Sequence, residues 1–166
     1  MKFTLSQIAE ICSARYYGAD VTVSSVITDS RTISSVDGAL FVAIRGVNHD
    51  AHNYIEDMVT RGVKAFIAEQ EIALPEGCGV VVVKDSLAAL QAMAAYRRQQ
   101  FGGEVVAITG SNGKTMVKEW IAASVPSSAK LYRSPRSYNS QLGVALSLLR
   151  MPDDAQIAVI EAGISE

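Results

Sequence analysis

The sequence has little cysteine: Cys12 and Cys78 are its two thiols in 166 residues. Two isolated cysteines offer neither the spacing of a zinc site nor the density of a disulfide framework. Cys12 falls on the apolar face of a predicted helix, and Cys78 lies between two glycines. We therefore expect both to be reduced thiols, which is typical of a cytoplasmic protein.

The sequence also lacks an excess of charge and a long apolar run. It has 15 basic and 17 acidic residues, a formal net charge of −2, and its basic side chains are scattered. This distribution argues against a nucleic-acid partner. No segment approaches the roughly 20 apolar residues that a membrane helix needs, and residues 1–4 lack the pattern of a secretion signal. We expect no membrane insertion.

Apolar strands alternate with amphipathic helices along the chain, and hydrophobic residues make up 49% of it, enough for a core. This alternation predicts an α/β fold with a parallel sheet and right-handed crossovers. A long helix that opens at Ser86 ends at Gly102 and Gly103. We predict a small α/β domain over residues 1–84, a connecting helix over 85–102, and the first part of a parallel-sheet phosphate-loop domain over 103–166.

Local patterns place the individual elements. Thr4 can cap a helix that carries Leu5 and Ile8 on its apolar face. The chain stops soon after its final strand, so we expect it to be cut from a longer protein. The predicted strands are Val21–Thr28, Leu40–Ile44, Ala65–Ala68, Val80–Val83, Glu104–Thr109, Lys130–Arg133 and Ile157–Ile160, and the later helices are Ser86–Gln100, Lys114–Ser124 and Gln141–Leu149.

The most informative segment joins an apolar run to a helical pattern through a glycine-bounded turn, Gly110–Thr115. The glycines let the backbone approach phosphates, and the helix directs the positive end of its dipole at them. Lys114 would reach the outer phosphates, and the Thr115 hydroxyl would bind Mg²⁺. The segment predicts an ATP or GTP site. The predicted nucleotide-binding residues are Gly110, Ser111, Asn112, Gly113, Lys114, Thr115 and Met116.

This turn is shorter than the general phosphate loop. The general pattern has a glycine five residues before the second glycine, where this chain has Ile108. The alternative interpretation is a glycine-rich turn between strand and helix with an exposed Lys114.

Two further side chains follow predicted strands of the second part. Glu161 ends the last strand, where it could bind Mg²⁺, directly or through water, or face solvent. Asn139 lies in a polar loop before a helix, where it could bind a ligand or cap the helix.

Polar residues of the first part allow two interpretations as well. His49, Asp50 and His52 cluster where a helix is predicted to start, but they make a poor zinc site without a third distant ligand. Loop polarity or ligand contact fits them better. Ser30 and Arg31 follow a strand, where turn residues commonly face water.

Taken together, these motifs resemble the Mur ligases, ATP-dependent amide-forming enzymes of bacterial cell-wall synthesis. The shortened loop Thr109–Thr115 carries the resemblance, and the blocks that accompany it occur in the order of the family and span nearly the whole chain. Val117–Glu119 suits the members that add D-alanyl-D-alanine to UDP-N-acetylmuramoyl-tripeptide. The other matching blocks are Thr28–Arg31, Leu40–Gly46 with Asp50–His52, Tyr138–Val144 and Ala158–Gly163.

The resemblance implies ATP and Mg²⁺ as cofactors, with Lys114 on the phosphates and Thr115 and Glu161 on the metal. Lys114 and Asn139 are the implied catalytic residues. The first domain would bind the UDP end of the sugar substrate. The implied contacts there are Ser30, Arg31, Val47, Asn48 and His49.

The substrates implied are UDP-N-acetylmuramoyl-tripeptide and D-alanyl-D-alanine. Two later parts of the family are absent from this sequence, the modified lysine that helps to bind a second magnesium ion and the C-terminal domain, so we expect this chain alone to be inert. Three alternatives stay open: a Mur ligase that adds the third peptide residue, an unrelated phosphate-loop kinase or GTPase, and a module that only binds the UDP-sugar.

Overall fold

The computed structural model describes residues 2–33, 35–47, 49–135 and 138–163. The chain divides into two compact units, Met1–Met93 and Ala94–Glu166. The division falls inside the long helix α3, Ser86–Gln100, which has the limits that the sequence predicts. Among the described residues, no helix combines the length and the hydropathy needed to cross a membrane.

The first unit contains a five-stranded sheet. Its strand order is β2-β7-β6-β5-β4, in which the last four are parallel and β2 is antiparallel to β7. β1 and β3 form a separate antiparallel pair. The elements are β1 Phe3–Thr4, α1 Leu5–Ile11, β2 Arg15–Gly18, β3 Thr22–Val23, β4 Ser25–Ile27, β5 Ala39–Val42, a 3-10 helix Ala51–Tyr54, α2 Ile55–Thr60, β6 Ala65–Ala68 and β7 Gly79–Val82.

Local chemistry explains the start of this unit. Thr4 caps α1 as predicted: its hydroxyl accepts from the Gln7 N–H, and the Gln7 side chain accepts from the Thr4 N–H. This capping box satisfies two amides that the first turn leaves without helical partners.

In the core, Phe41 and Phe66 of neighbouring strands are fully buried and meet edge to face, with ring centroids 6.4 Å apart.

The prediction of one strand over Val21–Thr28 is wrong. The segment divides into β3 and β4, which pair with different partners. The break is at Ser24, whose N–H donates to the Gly38 carbonyl at 2.7 Å. Ser24 and Ser25 interrupt the apolar residues at this point, but two serines are also compatible with a continuous strand, so the pattern alone did not place the break.

The second unit contains a three-stranded parallel sheet with β10 in the middle, in the order β8-β10-β9. The two helices have the predicted bounds, and the predicted α/β class is confirmed. The elements are β8 Glu104–Ile108, α4 Lys114–Ser124, β9 Leu131–Arg133, α5 Gln141–Leu149 and β10 Ile157–Glu161.

Helix α4 has an unusual distribution of side chains. Its buried residue is Lys118, while Met116, Val117 and Trp120 are exposed. An ordinary surface helix turns its apolar side chains inward and its charges outward. The inversion marks Lys118 as a residue whose charge has partners inside the unit.

Candidate functional site

The loop between β8 and α4 has the backbone form that the sequence predicts. Gly110 has φ of 140° and Gly113 has φ of 77°, both in the region that favours glycine. Gly113 is the N-cap of α4, and no side chain caps this end. The first amides of the helix are therefore directed toward the loop, as anion binding at a helix N-terminus requires.

Ile108 explains why this loop lacks the first glycine of the general pattern. It is the last residue of β8, is buried, and lies opposite Glu161 in the parallel register. Its carbonyl accepts from the Ala162 N–H at 2.9 Å. A regular strand position needs a side chain for packing rather than glycine, so the turn begins later.

Lys114 lies across the turn. Its Nζ donates to the Gly110 carbonyl oxygen at 2.6 Å. The ammonium is thereby held over the same few residues whose amides line the turn. Ser111, Asn112 and Met116 are exposed beside it.

Thr115 and Glu161 meet although they are 46 positions apart. The Thr115 hydroxyl donates toward both carboxylate oxygens of Glu161, at 3.0 Å and 3.2 Å. Because Glu161 ends β10 and Thr115 lies in the first turn of α4, the contact forms at the carboxyl edge of the sheet. The structure thus brings together the two residues that the sequence predicts as metal ligands.

Glu161 is not exposed to solvent, which was the alternative interpretation of its place in the sequence. Its residue exposure is 2%. Burial raises the pKa of its carboxyl. Hydrogen bonds from Thr115, Lys118 and Asn139 and the charge of Lys118 lower this pKa by more than burial raises it, so the net pKa lies below its usual value. The carboxylate is therefore ionised at neutral pH.

Asn139 also reaches this carboxylate. Its Nδ2 lies 3.4 Å from Glu161 Oε1. Ser140, rather than Asn139, caps α5, by accepting from the Gly143 N–H. The capping interpretation of Asn139 is therefore wrong, while its action in a reaction stays a prediction.

Two residues of this cluster were not predicted as site residues. The Lys118 ammonium lies 3.3 Å from Glu161 Oε2 and 3.0 Å from the Ser134 carbonyl oxygen. Ser134 in turn accepts from the Glu161 N–H through its hydroxyl. A signal for Lys118 exists in the sequence, because it lies three residues after Thr115 and so on the same face of a helix. No local signal indicates Ser134.

The residues predicted for the UDP end lie in the first unit. The turn of residues 28–31 follows β4, and the turn of residues 45–50 follows β5, its parallel neighbour. Parallel strands bring both turns to one edge of the sheet, where α/β folds bind ligands.

The first of these turns is held by its own charges. Arg31 donates two hydrogen bonds to the Asp29 carboxylate, at 2.8 Å and 2.9 Å. The Arg31 side-chain and backbone hydrogen bonds lower the pKa of Asp29 to about 2. Arg61 donates a hydrogen bond to the backbone carbonyl oxygen of Ser30 and not to its hydroxyl group.

The second turn is a tight hairpin. Arg45 bridges Asp50 across it, and the Gly46 N–H donates to the His49 carbonyl at 2.8 Å. Val47 is fully exposed at its tip, His49 is exposed, and Asn48 lies outside the described residues. These contacts hold the base of the turn, and Val47 exposes an apolar side chain.

Asp50 and His52 support this hairpin. The His52 N–H and Nδ1 both lie within hydrogen-bond distance of Asp50, and Nε2 accepts from the Glu69 N–H at 2.9 Å. Both ring nitrogens are thus occupied, which fixes Nδ1 as the protonated one. Among the residues that the structure describes, no group of three His, Cys, Asp or Glu could hold a metal ion.

Comparison with known proteins gives two adjoining matches. Residues 22–100 match the family described as "Mur ligase family, catalytic domain", and residues 108–166 match "Mur ligase middle domain". A curated relative from Escherichia coli K12, named UDP-N-acetylmuramoyl-tripeptide–D-alanyl-D-alanine ligase, is 38% identical over 162 residues. That alignment covers 96% of this chain and 34% of the relative.

Solved structures agree with the sequence matches. A crystal structure of MurF from Acinetobacter baumannii has a TM-score of 0.88 and 31% identity, covering 98% of this chain and 36% of the other. MurF ligase from Thermotoga maritima in complex with ADP has a TM-score of 0.74 and 28% identity, with coverages of 86% and 32%. The chain spans about a third of the length of these relatives. Because both of its units match in order, the chain belongs to the Mur ligase family.

Proposed function

We propose that this chain supplies the N-terminal third of an ATP-dependent ligase that joins D-alanyl-D-alanine to UDP-N-acetylmuramoyl-tripeptide in peptidoglycan precursor synthesis. The observation that carries the proposal is the Thr115–Glu161 contact beside the turn of Gly110–Gly113. A backbone anion site and an ionised carboxylate lie side by side there. This is what a nucleotide with a bound divalent cation requires.

The donor atoms at the contact suit Mg²⁺. A threonine hydroxyl and a carboxylate are hard oxygen donors, and Mg²⁺ commonly takes one or two protein ligands with water and phosphate oxygens. Thr115 and Glu161 would hold it. When bound, Mg²⁺ neutralises charge on the nucleotide phosphates as the γ-phosphoryl group is transferred.

The residues of the chain then have distinct tasks. The amides at the N-terminus of α4 bind phosphate oxygens, and Lys114, released from the Gly110 carbonyl, balances the charge of the outer phosphates. Asn139, beside Glu161, faces the space between the nucleotide and the acceptor carboxylate. The contribution of these groups is positioning and electrostatic stabilisation.

The chemistry proposed has two steps. A carboxylate oxygen of the sugar-tripeptide attacks the γ-phosphorus of ATP, ADP leaves, and an acyl phosphate forms. The amine nitrogen of D-alanyl-D-alanine attacks the acyl carbon, phosphate leaves, and the nitrogen loses a proton to give the amide. The UDP end is held by Ser30, Arg31 and the hairpin of residues 47–49, in a substrate domain of residues 1–84 that the helix of 85–102 joins to the ATP domain.

A ligase assay tests the proposal. With the whole protein, ADP formation should require both the UDP-sugar-tripeptide and D-alanyl-D-alanine, while the 166-residue chain alone should bind ADP but release no phosphate. ADP formation with a UDP-sugar-dipeptide and a free amino acid would instead indicate a ligase for the third residue. Phosphate transfer to an acceptor other than a carboxylate would indicate a kinase. We also propose that the protein works in the cytoplasm, where ATP and nucleotide sugars are available.

A further inference from the structure

Lys118 is a buried charged residue to which the proposed chemistry gives no task. Its exposure is 1%, and it is the buried residue of a helix on which Met116, Val117 and Trp120 are exposed. Burying an ammonium is costly unless it is paired and hydrogen-bonded. This buried ammonium lies beside the proposed nucleotide site, next to the Glu161 carboxylate that is predicted to bind metal.

The partners of Lys118 form a closed set of contacts. Its Nζ donates to the Ser134 carbonyl and to Glu161 Oε2. Ser134 is itself fixed to β10 twice, since its N–H donates to the Val159 carbonyl at 2.9 Å and its hydroxyl accepts from the Glu161 N–H at 3.0 Å. The ammonium therefore donates to the carbonyl of a residue that two hydrogen bonds join to the strand of Glu161.

The two oxygens of Glu161 have different surroundings. Oε2 contacts Lys118 and Thr115, whereas Oε1 contacts Thr115 and the more distant Asn139. The oxygen with the cationic partner is thus anchored, and the other oxygen is bound by neutral groups alone. A divalent cation that also binds Thr115 would find Oε1 free of a competing positive charge.

We propose that Lys118 is a positioning residue: it anchors Oε2 of Glu161 and so presents Oε1, together with the Thr115 hydroxyl, to the Mg²⁺ of the bound nucleotide. This inference rests on the proposed function of the loop. A purely repulsive effect of Lys118 on Mg²⁺ would give the opposite experimental result. If Lys118 acted only as a competing cation, its removal would strengthen Mg²⁺ binding by relieving charge repulsion.

The test compares ADP affinity of the 166-residue chain in Mg²⁺ and in EDTA by calorimetry. The ratio of the two dissociation constants, EDTA over Mg²⁺, is the Mg²⁺ enhancement. Lys118→Met should lower this enhancement about 10-fold, the lower end of the usual effect of losing a partner of a metal ligand. ADP affinity in EDTA should stay unchanged, which a general loss of structure would not allow.

Matched variants complete the design. Lys130→Met removes an exposed lysine of the same unit, paired with Asp154, and should leave the enhancement unchanged. In a Glu161→Gln background, Lys118→Met should have no further effect, because the anchored carboxylate is already gone. If Lys118→Met loses its folded circular dichroism spectrum, Lys118→Arg takes its place with the same readout, since the planar guanidinium cannot reproduce the ammonium contacts.

Each outcome has a meaning. An unchanged or increased enhancement in the folded Lys118 variant overturns the inference and leaves the nucleotide site intact. Absence of ADP binding, or of any Mg²⁺ enhancement, in the unchanged chain counts against the proposed function and removes the basis of the inference with it. If Lys118→Met lowers the Mg²⁺ enhancement in the Glu161→Gln background as well, the inference is also overturned, because the effect of Lys118 then does not depend on Glu161.

Discussion

Thr115 on helix α4 donates its hydroxyl hydrogen to Glu161 at the end of strand β10, with 3.0 Å between Oγ1 and Oε2. The Thr115 side chain therefore connects the first turn of α4, directly after the phosphate loop, to the end of the central strand β10. The buried carboxylate has Lys118 as its cation and Thr115 as its closest hydroxyl donor. The contact links the loop to the strand that carries the acidic group.

Thr115→Val should separate this contact from packing, because valine has the same shape without a hydroxyl. We expect a loss of about 1.5–3 kcal/mol in the free energy of unfolding, the usual value of a hydrogen bond to a charged group. ADP affinity in Mg²⁺ should fall roughly 10- to 100-fold. Thr115→Ser, which keeps the hydroxyl, is the control. Equal behaviour of the two variants in calorimetry and urea unfolding would contradict the assigned contact.

Gly113→Ala tests the backbone of the loop. A Cβ at Gly113 would meet no atom within 4 Å, so the cost comes from its φ of 77° alone. We expect about 1–2 kcal/mol of destabilisation in urea unfolding. Gly102→Ala is matched to it, since that Cβ also enters open space but the φ is not in the positive region, and it should leave stability unchanged or slightly higher. A similar loss in both variants would contradict the argument from φ.

Arg31→Ala tests the proposed UDP site. The side chain of Arg31 is 86% exposed, and its pair with Asp29 is a surface pair that contributes little to stability. Thermal unfolding should change little, while UDP affinity measured by calorimetry should fall several-fold. Arg133→Ala, which removes another exposed pair in the second unit, should leave UDP affinity unchanged. Unchanged UDP binding in Arg31→Ala would contradict the contact proposed for Arg31.

Asp50→Asn tests the support of the hairpin by pH. Hydrogen bonds from the His52 backbone and side chain and from Arg45 lower the pKa of Asp50 from 3.8 to about 2. A lowered pKa contributes stability that is present above pH 3.8 and lost as the pH falls toward 2. The free energy of unfolding should therefore decline less steeply in this window for Asp50→Asn, which can still cap the 3-10 helix. Parallel pH profiles of the two proteins would show that the carboxylate has no such effect.

Elements with strong local signals were predicted with the bounds that the structure has. The helices Lys114–Ser124 and Gln141–Leu149 and the strand Ala65–Ala68 are examples. Their starts depend on glycine, serine and apolar runs a few residues long, which are all visible in the sequence. The same reasoning predicted the turn of Gly110–Gly113.

Features that depend on distant pairing were missed. Strand β2, Arg15–Gly18, forms only because β7 lies beside it, and its four exposed residues show no alternation between polar and apolar. The contact between Lys118 and Glu161 joins residues 43 positions apart. The helix pattern places Lys118 on the same face as Thr115, but only the fold shows which carboxylate lies beside them.

The inverted face of helix α4 has a practical consequence. Trp120, the single tryptophan of the chain, is on this helix and is 63% exposed. Its emission therefore reports on one segment, the helix whose N-terminus borders the phosphate loop. Any element that covers this face moves the indole out of water and shifts its emission to shorter wavelength, so the protein carries its own optical label for the surroundings of the loop.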